Sequence, residues 1–265
     1  MSKKLLGFIF TLIFLHSCMP EDQTDKFWDS IRITNKNQPF IFVFSNTKIP
    51  ACAKYGQPQL EKVLNGKVND IIPEHVNGFM MYPSPSDPQY SSIAEELKFI
   101  FDENGNNTFN TWPAYVNDLS CFNIDSTLWN GSIKNSQSKS PQIKLGINST
   151  PSDQEIKVYV KGLYTESISD HSIAVYAYKK SELTSQTTSK GIEKFTLKNK
   201  IIYSLTPTTG KYLASNSSGR EFRKLFSLDT SSIKDLSNIG IVAVVYSLYN
   251  NVPNAVINSI KLESI

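Results

Sequence analysis

The residues of this 265-residue chain able to act as nucleophiles or metal ligands are few. The thiols are Cys18, Cys52 and Cys121, and the imidazoles are His16, His75 and His171. A structural zinc site asks for four closely spaced Cys or His ligands, and this inventory is too sparse to supply them, so no metal and no cofactor is expected. His75 and His171 lie in different halves of the chain, which leaves a serine triad without a base in reach. There is no G-x-S-x-G elbow, no P-loop and no G-x-G-x-x-G, which removes the hydrolase, nucleotide and dinucleotide classes. Glu95-Glu96 and Asp102-Glu103 read as the solvated face of a helix opposite Leu97 and Phe101. A net charge of +3 spread over the whole length makes no basic stripe, so nucleic acid is not expected as a partner. Trp28, Trp112 and Trp129 with 12 tyrosines have the composition of a carbohydrate-stacking platform, although such residues more often fill cores.

The N-terminus carries an address. Lys3 and Lys4 precede an apolar run over 5–15, too short to span a bilayer and typical of a secretory signal over 1–17. Leu15-His16-Ser17-Cys18 resembles the bacterial lipobox, with His16 where a small residue is usual. The resemblance implies cleavage before Cys18 and lipid attachment to it, so the chain would hold the membrane by acyl chains. Residues 18–38 then read as a tether and lead-in, with Glu21, Asp22 and Asp25 close behind the anchor. Acidic residues in that place resemble the surface-export signal of some outer-membrane lipoproteins. The expected location is the cell envelope, at the outer membrane or cell surface.

Beyond the tether the periodicity changes once. Over 40–125 short apolar runs alternate with helix-like stretches: a strand at 40–44, a helix at 57–64, a strand at 76–82 and a helix at 93–101. This order suggests α/β. After the Ser/Lys/Asn-rich stretch 130–140, strands recur at 142–148, 155–160, 172–179, 200–206, 222–228, 240–247 and 255–262. Their spacing suggests an all-β sandwich of immunoglobulin-like type, with one face of each strand for the core and the other for solvent or a partner. The stretches 181–191 and 206–219, rich in Ser, Thr, Asn and Gly, read as loops.

Between the first strand and the first helix, Phe44 is followed by Ser45-Asn46-Thr47-Lys48-Ile49-Pro50-Ala51-Cys52, then Pro58-Gln59-Leu60-Glu61-Lys62-Val63. With Trp112-Pro113-Ala114-Tyr115-Val116-Asn117 further on, this resembles the redox loop and facing cis-proline of thioredoxin-like proteins. That chemistry needs two thiols three apart, one attacking and one resolving the mixed disulfide. Only one thiol is present in the loop. Counted from Phe44, the first cysteine position falls on Ile49 and the second on Cys52; the other register makes Cys52 the nucleophile, with Lys54 favouring its thiolate and Tyr55 in place of the resolver. Spacing favours the first. An oxidising envelope would allow a Cys52–Cys121 disulfide, the plainer alternative being a buried free thiol.

The whole layout resembles the outer-membrane-protein-28-related lipoproteins, on Phe44-Ser45-Asn46, Cys52, Pro113-Ala114-Tyr115-Val116-Asn117 and Glu221-Phe222-Arg223. The departures are Ile49 for the first cysteine, Ala53 where proline often follows the second, and Asn46 for glycine. The resemblance implies a thioredoxin-like domain over 39–135 and an immunoglobulin-like β-sandwich over 140–265. It also implies a surface lipoprotein, with Ile49, Cys52 and Pro113 as the remnant of a redox loop. Two functions follow: a non-catalytic module binding an unidentified protein or carbohydrate, or an envelope thiol-disulfide isomerase or peroxide-reducing protein using Cys52 alone.

Overall fold

A strand with no polar position must be covered on both faces, and in the computed structural model β1 (Phe40–Phe44) is buried at every residue. The structure describes residues 21–102, 112–122, 126–152 and 154–265. The signal segment 1–17 and Cys18 lie outside the described residues. Helix α1 (Glu21–Ser30) belongs to one unit, and Ile31–Ile265 form another. Part of the expected tether is therefore helical.

The chain is mostly sheet with few helices. After β1 come α2 (Pro50–Tyr55), α3 (Gln57–Leu64), β2 (Asn77–Met81), α4 (Ser92–Phe101), β3 (Ala114–Asn117), β4 (Ser120–Phe122) and α5 (Ser126–Ser138). The strands that follow are β5 (Ile143–Pro151), β6 (Glu155–Tyr164), β7 (His171–Thr188), β8 (Gly191–Ser204), β9 (Lys211–Leu213), β10 (Glu221–Asp229), β11 (Ile239–Tyr249) and β12 (Val252–Leu262). The long sheet runs β12-β11-β7-β8-β2-β1-β3-β4, with β9 beside β7, and a second sheet runs β10-β6-β5. β1 and β2 are parallel, joined through α2 and α3, while β3 is antiparallel to β1.

Three layers of side chains hold this together. Ile41, Val43, Met80 and Tyr115 face Leu60 and Val63 of α3 and Ile133 of α5. On the opposite face Phe40, Phe42, Phe44 and Phe79 meet Ala94, Leu97 and Phe101, which lie three and four apart on α4. The same cluster takes in Tyr176 and Tyr178 of β7 and Val242, Val244 and Tyr246 of β11. The alternate residues Ile173, Val175, Ala177, Ile241, Ala243 and Val245 pack against the second sheet.

Two expectations change here. The strands β7 and β11 bury both faces where the second was expected to meet solvent or a partner, because that face is the lid of the first-half core. The halves on either side of 130–140 accordingly share a sheet and a core within one compact unit, and the polar stretch between them is largely α5.

His171 illustrates how polar groups are accommodated inside. It is wholly buried; the Tyr164 hydroxyl donates to Nε2 (2.7 Å), and Nδ1–H donates to the Ser169 carbonyl (2.5 Å). Burial pushes the imidazole below its ordinary 6.5, against the smaller pull of the Ser169 hydrogen bond and the Asp170 charge. The folded state therefore holds fewer protons than the unfolded chain just below that value, so stability is full above it and is lost as pH falls toward the folded pKa. The urea midpoint should drop between about pH 8 and about pH 5.5, and His171→Gln should flatten that part of the profile. An unchanged slope in the variant would assign the dependence to other groups.

Candidate functional site

The loop after β1 enters a six-residue helix whose N-cap is Ile49, a side chain with no oxygen to cap it. Pro50 follows at the first helical position, where a missing N–H costs nothing. Cys52 sits in the first turn, 2% exposed. The helix stops at Gly56, whose N–H donates to the Cys52 carbonyl (2.8 Å), and restarts as α3 with Pro58 in its first turn. A Cβ at Gly56 would lie 2.6 Å from the Cys52 carbonyl oxygen, so only glycine fits the junction.

Cys52 is a free thiol, so the alternative of a Cys52–Cys121 bridge is not formed. Cys121 pairs with Val116, which itself faces Phe42 in the middle of β1. Its backbone therefore lies two strand spacings, roughly 10 Å, from Phe42. Burial pushes the Cys52 thiol above the ordinary cysteine value and the nearby Asp87 charge adds to that, while hydrogen bonds from Ser45 and Asn46 work against it. The Asn46 N–H donates to Sγ at 3.4 Å. The balance leaves a neutral thiol, which is a poor nucleophile. Tyr82 and Tyr115 beside it are also pushed upward, chiefly by burial.

Two residues that sequence reasoning missed hold the loop in place. Asp87, buried between β2 and α4, accepts from the Thr47 N–H (2.5 Å), the Thr47 hydroxyl (3.0 Å) and the Gln89 N–H (2.7 Å). Gln186 reaches in from β7, its amide donating to the carbonyls of Thr47 (2.9 Å) and Ile49 (3.1 Å). The Thr187 N–H adds a bond to the Thr47 carbonyl at 2.7 Å.

Gln186 belongs to the stretch 181–191, which is not the expected loop. It is the far end of a long β7–β8 hairpin whose ladder runs to Thr188↔Gly191. The alternation that marks a strand is weak there because one face is exposed and the other meets polar loop atoms. The β-branched Thr184, Thr187 and Thr188 were the available signal. This arm is fastened at two further points. Gln89 donates to Thr184 Oγ1 (2.9 Å) and accepts from the Lys200 ammonium (2.6 Å), while Gln57 bonds the β8 backbone.

Between the arm and α2–α3 lies a cavity of about 330 Å³, near the lower end for small-ligand sites. Cys52, Pro58, Met80, Tyr82 and Phe195 form its apolar wall, and Glu61, Glu193, Lys194 and Lys198 its rim. Pro113 is not on this wall. The Trp112–Pro113 peptide is cis, and the β1–β3 register carries Pro113 opposite Ser45, on the other side of the loop's origin. The structure thus gathers Ser45, Ile49 and Cys52, and adds Asp87 and Gln186 to them. Among the described residues no group of three or more His, Cys, Asp or Glu is placed to hold a metal ion.

No protein-family model matches the chain, and no curated protein matches it in sequence. Solved structures do match in shape. HBP35 of Porphyromonas gingivalis superposes with a TM-score of 0.69 at 12% identity, over 88% of this chain and 77% of its own. Protein AGR_C_4864 from Agrobacterium tumefaciens gives 0.57 at 9% identity, over 86% and 95%. A domain of the outer membrane lipoprotein Omp28 from Porphyromonas gingivalis, at 0.31 and 17% identity over 47% of this chain, is too distant a superposition to argue from. The chain therefore shares its fold, along most of its length, with HBP35 and with the Agrobacterium protein.

Proposed function

We propose that the protein is a non-catalytic binding module of the bacterial envelope, held at the outer membrane or cell surface by lipid on Cys18. In this reading residues 39–135 are a thioredoxin-like scaffold related to the outer-membrane-protein-28 group, redox-inactive through Ile49, and 140–265 are its immunoglobulin-like partner. The observation that carries the loss of chemistry is the state of Cys52, a lone neutral thiol buried beneath an arm that hydrogen-bonds the loop shut. Turnover of a dithiol needs a second thiol in reach to release the mixed disulfide. The cavity at Cys52 favours the competing reading, a one-cysteine thiol enzyme, and one experiment separates the two.

In the mature chain carrying Cys18→Ser and Cys121→Ser, Cys52 should react with an aromatic disulfide reagent at least about a hundredfold more slowly than after unfolding. The same protein should match the blank in insulin reduction. Turnover that disappears with Cys52→Ser would replace the binding reading by the enzymatic one.

A further inference from the structure

The β7–β8 arm leaves one strand edge open beside the Cys52 cavity. In the ladder Glu182↔Leu197, Thr184↔Phe195, Gln186↔Glu193 and Thr188↔Gly191 the pairs alternate with Leu183↔Thr196, Ser185↔Lys194 and Thr187↔Ile192. Two side-chain bonds say which set looks outward. The Gln57 amide donates to the Thr196 carbonyl (2.7 Å) and its oxygen accepts from the Lys198 N–H (3.0 Å). On β7 the Thr187 N–H likewise leaves the hairpin for Thr47. The backbone groups of Ile192, Lys194, Thr196 and Lys198 therefore face away from β7. Gln57 satisfies those at Thr196 and Lys198 in the manner of a peptide group in a neighbouring strand. The N–H and C=O of Ile192 and Lys194 have no partner among the described residues.

β8 pairs with β2 only at Met80↔Lys200, then diverges, and the wedge between them is the 330 Å³ cavity. A strand added to the β8 edge would run about 4.8 Å away, into this wedge. Phe195, Met80 and Tyr82 give the wedge apolar surface, and Lys194 on its rim is exposed with no ion pair among the described residues.

We propose that the outer edge of β8 at Ile192 and Lys194, up to the point where Gln57 occupies Thr196 and Lys198, takes up an extended peptide as an added strand, with one apolar side chain in the Cys52 cavity and a carboxylate beside Lys194. This deepens the binding-module reading and rests on it. Main-chain bonds supply the attachment and the cavity the selectivity, as in other strand-addition sites. Lys194 then has the second task of discouraging edge pairing with another copy of the chain.

The probe is an acetylated nine-residue peptide of alternating threonine and valine, with a central leucine and one glutamate, titrated into the mature chain carrying Cys18→Ser. Saturable binding is expected. N-methylation of alternate peptide amides should weaken it about tenfold or more, with the protein untouched. Lys194→Pro should do the same, because it removes an outward N–H that β7 does not use. Lys194→Ala should cost only a few-fold, and only at low salt. No binding at roughly millimolar peptide, or equal binding by the N-methylated peptide, overturns the proposal. So does a dimer in solution that Lys194→Pro dissociates, which would give the edge to a second copy. Thiol reactivity is measured separately, so failure here with Cys52 still inert leaves the non-catalytic reading standing.

Discussion

Replacing Asp87 with alanine is expected to destabilise the folded chain by about 3 to 5 kcal/mol, a large part of a typical domain's net stability. The carboxylate is 4% exposed and accepts from the Thr47 N–H, the Thr47 hydroxyl and the Gln89 N–H. Alanine leaves those donors buried and without an acceptor, at a cost of about 1–3 kcal/mol for each that water cannot reach. Asp87→Asn keeps the shape and part of the accepting capacity, so its loss should be about half as large. Urea unfolding with an unchanged m-value measures both. The variant should also expose Cys52 to thiol reagents, because the loop would lose one of its two clamps. A loss under about 1 kcal/mol would mean that water replaces the carboxylate and that the loop is held by Gln186 and the Thr187 N–H.

Cutting the chain at 140 is expected to abolish cooperative folding of the C-terminal half. Residues 140–265 contain every strand of the second sheet, yet Ala174, Tyr176, Tyr178, Ile201, Val242, Val244 and Tyr246 bury their side chains against the first half. The three tyrosines alone would return aromatic surface worth on the order of 10 kcal/mol to water. That is comparable with the whole margin of a folded domain. Tyr176 and Tyr246 also share a hydroxyl contact at 3.3 Å deep in that layer. Circular dichroism of the fragment should show strand content without a sharp thermal transition, and adding residues 31–139 should restore one. A reversible two-state melt of the fragment by itself would show that the sandwich core suffices.

Much of the first half was legible because its strands and helices obey local rules. The run 40–44 became β1 and the stretch 57–64 became α3 with those bounds, while the helix expected at 93–101 became α4, starting one residue earlier. The residues of the loop were legible too, since Ile49 and Cys52 fall where an aromatic strand end and a proline-started helix put them. What the sequence hid is long-range. Tyr176 and Tyr178 lie on a strand with one face expected to meet solvent or a partner, and nothing local says that the first-half core covers them. Asp87 and Gln186 look like surface residues of polar stretches, because their acceptors and donors belong to a loop that lies 40 and 139 positions away along the chain. The 181–191 segment misled for the same reason: its strand character is fixed by pairing with 191–198, not by an apolar repeat.

The contact between Gln186 and the 46–49 loop also sets the order of events when the chain is made. β1 and its helices are synthesised early, but their neighbours in the sheet, β8, and the lid of their core, β7 and β11, come from beyond residue 170. Until those strands emerge, the aromatic face of β1 and β2 has nothing to cover it but α4. Maturation of the site should therefore be slow and late, gated by closure of a very long loop. The nascent first half would spend that interval as an aggregation-prone intermediate suited to a holding chaperone.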